Sequence, residues 1–202
     1  MLFRKISSLI EEHLKSGSDK ILLIDGARQV GKTFIVRHVC QKLFPNFIEV
    51  NMIADSGSDR LFSRVRTAED FYLSLSVVAG AKMGSRENTV VFIDEIQEYP
   101  HLLTLLKFLS QEGRFTYIAS GSLLGVTLSE TSSIPMGSIR KIRMYPLDFE
   151  EFLYANGVGR PFVDLIFSRF RAGESLDEAL HDKIMDLFRK YLLVGGLPDA
   201  VN

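Results

Sequence analysis

The stretch Gly26-Ala27-Arg28-Gln29-Val30-Gly31-Lys32-Thr33 constrains this chain more than any other. A glycine, four residues and then Gly-Lys-Thr is the P-loop pattern. The flanks agree with it. Lys20-Ile21-Leu22-Leu23-Ile24-Asp25 reads as a buried strand, and Phe34 to Leu43 as a helix with one apolar side. A glycine-rich turn between strand and helix exposes successive backbone N–H groups, and the helix adds its positive N-terminal end. Both favour phosphate oxygens. On this reading Gly26, Ala27, Arg28, Gln29, Val30, Gly31, Lys32, Thr33 and Phe34 form a nucleotide cradle. Lys32 reaches the β- and γ-phosphates of ATP, and the Thr33 hydroxyl ligates Mg2+. An ordinary strand–turn–helix is the competing use of the same residues.

A second stretch, Thr89-Val90-Val91-Phe92-Ile93-Asp94-Glu95, has the form of a Walker B strand. Asp94 holds Mg2+ through a water, together with Thr33, and Glu95 polarises the attacking water as a general base. A buried strand ending in a solvated acidic pair would look the same. The adjacent glutamate, with a strand interposed between the two motifs, points to the branch of P-loop proteins that hydrolyses ATP with a strand-borne glutamate. Further on, Arg114-Phe115-Thr116-Tyr117-Ile118-Ala119 reads as a strand ending in Ser120-Gly121-Ser122. Ser120 is the catalytic candidate there, sensing the γ-phosphate and helping to place water. A serine-rich turn is the alternative, and the sequence does not decide whether Ser120 or Ser122 faces the site.

The 202 residues are 46% hydrophobic, enough for an α/β core with an appendage. Lys+Arg of 24 against Asp+Glu of 25 gives a net charge of -1, so no bulk field favours nucleic acid, and nucleic-acid binding is not supported. The single cysteine, Cys40, excludes an internal disulfide and suits a reducing compartment. No apolar run is long enough for a bilayer and no secretory signal opens the chain; a cytoplasmic protein without membrane contact is expected. The four histidines (His13, His38, His101, His181) show no metal spacing.

In order, residues 3–15 read as an amphipathic helix with Phe3, Ile6, Ile10 and Leu14 on one face, and residues 47–51 as a strand. Asp55 to Asp59 opens a segment of one or two helices reaching Ala79, and a leucine-rich helix spans 101–111 after Pro100. Residues 123–137 read as a mobile Gly/Ser/Thr-punctuated loop and 138–144 as a last strand. Asp148 with Glu151 forms a capping box, with Leu147 and Phe152 as hydrophobic staple; Ser175-Leu-Asp-Glu forms a second box before an amphipathic helix that Gly195-Gly196 stops. The expected fold class is α/β: a P-loop core over 1–147 holding the five strands read above, then a small helical lid over 148–202.

Five segments occur together and in order: Gly-Ala-Arg-Gln-Val-Gly-Lys-Thr, Phe-Ile-Asp-Glu-Ile-Gln, Ala-Ser-Gly-Ser-Leu-Leu-Gly, Met-Tyr-Pro-Leu-Asp-Phe-Glu-Glu-Phe-Leu and Tyr-Leu-Leu-Val-Gly-Gly-Leu-Pro-Asp-Ala-Val. In these the chain resembles the prokaryotic AAA-type ATPases known as ATP-binding proteins with a C-terminal domain of unknown function. The resemblance implies a five-stranded parallel sheet, Mg-ATP as ligand, and the roles given above to Lys32, Thr33, Asp94 and Glu95. It also resembles signalling and origin-binding ATPases whose Gly-x-Pro near the lid contacts nucleotide, which would carry over to Pro198. Members of the family continue beyond the Gly-Gly-x-Pro segment, so the lid is expected to precede a C-terminal domain, and that domain or a separate protein is the expected partner. No arginine occupies an unmistakable finger position; Arg140, Arg143, Arg160, Arg169 and Arg171 are all candidates. The expected activity is ATP hydrolysis driving a conformational change. The alternatives are a switch that holds ATP with little turnover, and an ATPase serving DNA transactions.

Overall fold

Apolar alternation along the first strand decides the layering. In the computed structural model, which describes residues 2–122 and 137–201, β1 (Ile21–Gly26) is buried at every position. Leu22 and Ile24 pack with Val90, Phe92 and Ile118 against α1 (Ile6–Lys15) and α2 (Lys32–Leu43). Ile21 and Leu23 point the other way, towards Val91, Ile93, Tyr117 and Ala119 and the helices α4 (Ala68–Ala79) and α5 (His101–Glu112). A strand apolar on both faces must be covered on both, which is the condition for a parallel sheet between two helical layers.

The sheet is completed by β2 (Asn46–Asn51), β3 (Thr89–Asp94), β4 (Thr116–Gly121) and β5 (Ile139–Met144). All pairings are parallel and the order is β2-β3-β4-β1-β5. The short α3 (Met52–Gly57) follows β2 directly. From β1 the chain leaves for the β2 edge, whereas from β4 it leaves for β5 at the opposite edge. The carboxyl ends of β1 and β4 are therefore the switch point, where open α/β sheets bind ligands. Cys40 is fully buried under α2, and burial pushes its thiol up to about 12, in keeping with a packed core thiol.

Two compact units divide the chain, one of residues 6–144 and one of residues 2–5 with 145–201. The second is helical: α6 (Phe149–Ala155), α7 (Arg160–Ala172), α8 (Glu178–Val194) and α9 (Pro198–Val201). The capping box of Asp148 and Glu151 forms at α6, and the staple residues Leu147 and Phe152 are buried. Gly195 ends α8 with φ 76°, and a Cβ on Gly196 would lie 2.1 Å from the Leu147 carbonyl oxygen. The glycine pair thus turns the helix and lets Leu147 N–H donate to the Gly196 carbonyl at 2.7 Å.

Several sequence expectations shift. Phe3 lies outside α1 and meets Tyr154 edge-on in the helical unit, so the apolar face of α1 is Ile6, Ile10 and the half-buried Leu14. Residues 52–57 are helical because Asn51 accepts from Ala54 N–H as a cap, overriding the polar composition there. Asp177 rather than Ser175 caps α8, whose apolar face is at most half-buried. Helix α7 had no counterpart in the sequence reading. Finally, β4 runs two residues further than the apolar pattern implies, through Ser120 and Gly121. The loop expected over 123–137 lies, except for Gly137, outside the described residues.

The N-terminal residues enter the helical unit through a buried ion pair. Arg4 Nε lies 3.3 Å from Glu151 Oε2, both side chains under a tenth exposed, and the Arg4 guanidinium also donates to the Tyr145 carbonyl. Arg4→Ala should destabilise this unit by about 3 kcal/mol, the lower end for breaking a buried pair. The low figure reflects the two backbone donors that Glu151 keeps, from Lys5 and Asp148. Urea unfolding that shifts by less than about 1 kcal/mol would reduce the pair to a surface-type contact.

Candidate nucleotide-binding site

The loop after β1 is shaped by two residues with left-handed backbone, Gln29 (φ 65°) and Gly31 (φ 91°). Gly31 serves as N-cap of α2 without any side-chain hydrogen bond, and the first turn of that helix holds no acidic residue. The helices α4 and α6, by contrast, close their amino ends with capping boxes. At α2 the free N–H groups of the first turn are left for an anion. Gly26 is required by packing: a Cβ there would lie 2.4 Å from the Met144 carbonyl oxygen on β5. Ala27, Arg28, Gln29 and Phe34 are exposed around the loop, while Val30 is buried beneath it.

Lys32 is only 4% exposed. Its Nζ donates to the carbonyls of Gly26 (3.1 Å) and Ala27 (2.9 Å) and to Ser122 Oγ (2.8 Å), and lies 3.9 Å from Glu95 Oε1. Burial lowers its pKa; the carboxylates of Glu95, Asp94 and Asp25 oppose that shift, and the Arg28 charge adds to it. The ammonium thus bridges the P-loop to the strand end of β4.

Asp94, at the last position of β3, is 1% exposed and collects three donors. Thr33 Oγ1 donates to Oδ2 at 2.8 Å, Asn51 Nδ2 to the same oxygen at 3.2 Å, and Ser120 Oγ to Oδ1. Ser120 is fully buried, because the extended β4 carries it inside the sheet. Its hydroxyl fixes Asp94. Ser122, just past the strand, is the serine at Lys32, with Oγ 3.5 Å from Glu95 Oε1.

Glu95 has φ 53° and ψ 48°, a left-handed turn between β3 and the 3-10 turn of Ile96–Glu98. That turn returns Gln97 to the glutamate: Gln97 Nε2 donates to Glu95 Oε2 at 2.6 Å, and Gln97 Oε1 accepts from Ser122 N–H at 3.1 Å.

Lys32, Thr33, Asp94, Glu95 and Ser120 therefore converge at the carboxyl ends of β1, β3 and β4. Pro198 belongs to the helical unit, where it opens α9. Asn51 and Gln97 join the site without being singled out in the sequence, and Ser122, the serine left open beside Ser120, is the one at Lys32. A polar residue ending each strand was the available signal, but nothing local marks which strand ends are neighbours. Of the arginine candidates, Arg140 pairs with Leu22 near the start of β1 and lies 3.9 Å from Glu12, far along the strand from the loop. Arg143 pairs with Asp25, next to Gly26. Arg169 bonds Glu174 within its own helical segment. The donor set suits Mg2+: a threonine hydroxyl and a carboxylate oxygen already in contact are hard ligands, and this ion needs only one or two from protein when phosphates supply more. No cluster of three or more His, Cys, Asp or Glu side chains that would make an all-protein metal cage occurs among the described residues.

A family model described as an AAA domain matches residues 18–153. The chain belongs to this AAA domain family. It carries an AAA-type P-loop ATPase domain. An uncharacterized protein of Haemophilus influenzae is 26% identical over 186 residues, which cover 91% of this chain and 41% of that protein. Among solved structures, the Walker-type ATPase PABY2304 of Pyrococcus abyssi aligns over 100% of this chain and 66% of its own, with TM-score 0.54 and 16% identity. That likeness shows the shared fold. The AAA domain chain thus spans less than half the length of the curated relative it matches.

The buried lysine gives a test in pH. Lys32→Met should weaken Mg-ATP binding about 10- to 150-fold, the worth of one hydrogen bond to a charged group at about 1.5–3 kcal/mol. Because burial lowers the folded pKa of Lys32, the ammonium is lost at lower pH than in an ordinary lysine. Parent affinity should therefore decline as pH rises towards, but still below, 10.5, whereas the Lys32→Met variant should be flat over that window. Isothermal titration giving parallel pH profiles for both would remove Lys32 from the binding site.

Proposed function

We propose that the chain binds Mg-ATP and hydrolyses it to ADP and phosphate. The observation that carries this reading is the meeting, at the ends of three adjacent strands, of a buried ammonium, a hydroxyl–carboxylate pair and a second carboxylate. In the reaction a water oxygen bonds to the γ-phosphorus, the bond from that phosphorus to the bridging oxygen breaks, and ADP leaves. Glu95 takes the water proton. Lys32 turns from the Gly26 and Ala27 carbonyls to the β/γ-phosphates. Thr33 and Asp94 would hold Mg2+, which would supply positive charge against the phosphates. Ser122 takes the phosphate-reading role first assigned to Ser120, and Ser120 fixes Asp94 from behind.

Hydrolysis is proposed to drive a conformational change, passed to a partner protein or to a C-terminal part of a longer chain. The 41% and 66% spans of the two relatives support a larger whole. Residues 148–202 would serve as lid and Pro198 as a contact to the nucleotide, a reading that rests on the resemblance of Gly196-Leu197-Pro198 to a Gly-x-Pro motif. A cytoplasmic location fits a chain in which no described helix is long and apolar enough to cross a membrane.

Glu95→Gln keeps size and hydrogen bonding but removes the charge that accepts the proton. Mg-ATP affinity should stay near parent while turnover falls about 10²–10⁴-fold, the usual worth of a positioned general base. Unchanged single-turnover hydrolysis with protein in excess would move the chemistry elsewhere. Asp94→Ala should instead abolish the stimulation of ATP binding by Mg2+. Titrations with and without the ion that still differ in this variant would refute its role as metal ligand.

A further inference from the structure

We propose that Gln97 is a positioning residue for hydrolysis, which selects the oxygen of Glu95 that takes the proton and ties that carboxylate to the end of β4. The inference rests on the reading of Glu95 as general base. The Gln97 amide has one orientation that satisfies both neighbours. Its Nε2 meets a carboxylate oxygen, Glu95 Oε2, at 2.6 Å, and its Oε1 meets an N–H, that of Ser122, at 3.1 Å. Reversed, the amide would set oxygen against oxygen and N–H against N–H.

This arrangement treats the two glutamate oxygens unequally. Oε2 is engaged by the amide at short range. Among the described residues Oε1 has only loose neighbours, Ser122 Oγ at 3.5 Å and Lys32 Nζ at 3.9 Å. It is the oxygen with a lone pair left for a water proton, and it is the one beside the Lys32 ammonium. The amide also restrains Glu95 from closing on Lys32. Without it, a carboxylate on a left-handed turn has a buried cation beside it and, among the described residues, only the long Ser122 hydroxyl contact to hold it. Contact pairing would occupy the base and hold the lysine on the protein.

The Ser122 end of the amide matters equally. Ser122 Oγ accepts from Lys32, and Ser122 N–H donates to Gln97, so one residue is joined to the lysine and, through Gln97, to the glutamate. A displacement of the β4 end would be felt at Glu95 through the Gln97 amide, beside the longer direct contact of the Ser122 hydroxyl.

Single-turnover hydrolysis and Mg-ATP affinity of the 202-residue chain, measured on Gln97→Ala, Gln97→Glu, Glu95→Gln and the double variant Glu95→Gln/Gln97→Ala, test the proposal. Gln97→Glu keeps the size and the acceptor for Ser122 N–H but removes the donor to Glu95, so it controls for simple loss of packing. Both Gln97 variants should bind Mg-ATP within about 3-fold of parent and hydrolyse it about 10- to 100-fold more slowly, the cost of a reacting group held out of place. In the Glu95→Gln background, Gln97→Ala should add less than about 3-fold, because residues acting as one unit are not additive. Slow Glu95→Gln alongside parent-like rates in both Gln97 variants would overturn this inference alone. An additive loss in the double variant would also overturn it, since Gln97 would then act other than through Glu95. Parent-like Glu95→Gln would remove the general base and this inference together.

Discussion

A single buried ammonium organises the site. Lys32 is the side chain at which the P-loop, the end of β4 and Glu95 meet. Taking a charged amine out of water is costly, which is why its pKa is lowered, and the fold offsets the cost with two carbonyls, a hydroxyl and nearby carboxylates. None of these partners is a tight ion pair. Carbonyls and a serine can be exchanged for phosphate oxygens of equal or greater negative charge, whereas a close salt bridge to Glu95 would have to be broken first. On the proposed mechanism, the 3.9 Å spacing between Lys32 and Glu95 would thus serve function as much as structure.

Backbone strain is concentrated at the same place. Three non-glycine residues among those described have positive φ, and two of them, Gln29 and Glu95, belong to the site; the third is Arg60. Such conformations cost about 1–3 kcal/mol each and persist only where the surroundings fix them. At Glu95 the reason is visible. An extended residue there would continue β3 past Asp94, and the chain could not fold back within two residues to bring Gln97 onto the glutamate. The left-handed turn lets consecutive residues do different work, with Asp94 held inside the sheet end and Glu95 turned towards Lys32.

The two motifs were legible because each is local. A strand, a glycine-rich turn and a helix occupy adjoining residues, so their geometry follows from their order. The residues that complete the site were legible only in part, Ser122 being named beside Ser120 without its partner, for a topological reason. Asn51 and Ser122 are brought to Asp94 and Lys32 only by the order β2-β3-β4-β1-β5, in which the last residue of β2 lies beside the last of β3 and β4 inserts between β3 and β1. Ser120 illustrates a finer limit. Its place depends on where β4 stops, and small polar residues give no apolar alternation to mark that point. Helix α7 escaped for another reason. Its apolar residues Phe162, Val163, Ile166 and Phe170 do recur at helical spacing, but it starts from Gly159 with no side-chain cap, so no capping signal of the kind that marks α6 announces it.

The hydrogen bonds of Asp94 separate what must stay from what must move. Ser120 holds Oδ1 from within the sheet, while Asn51 holds Oδ2 from the β2 side and is itself anchored as the cap of α3. Thr33 also donates to Oδ2, yet its hydroxyl is the partner that would turn when a cation arrives. Losing that one bond leaves the carboxylate restrained at both oxygens. A ligand carboxylate fixed before the ion arrives loses less freedom on binding it, so more of the binding energy remains for orienting phosphate. The arrangement gives a buried serine, which the sequence pattern aims at the γ-phosphate, and a strand-end asparagine, which it does not single out, the same task of holding Asp94 in place.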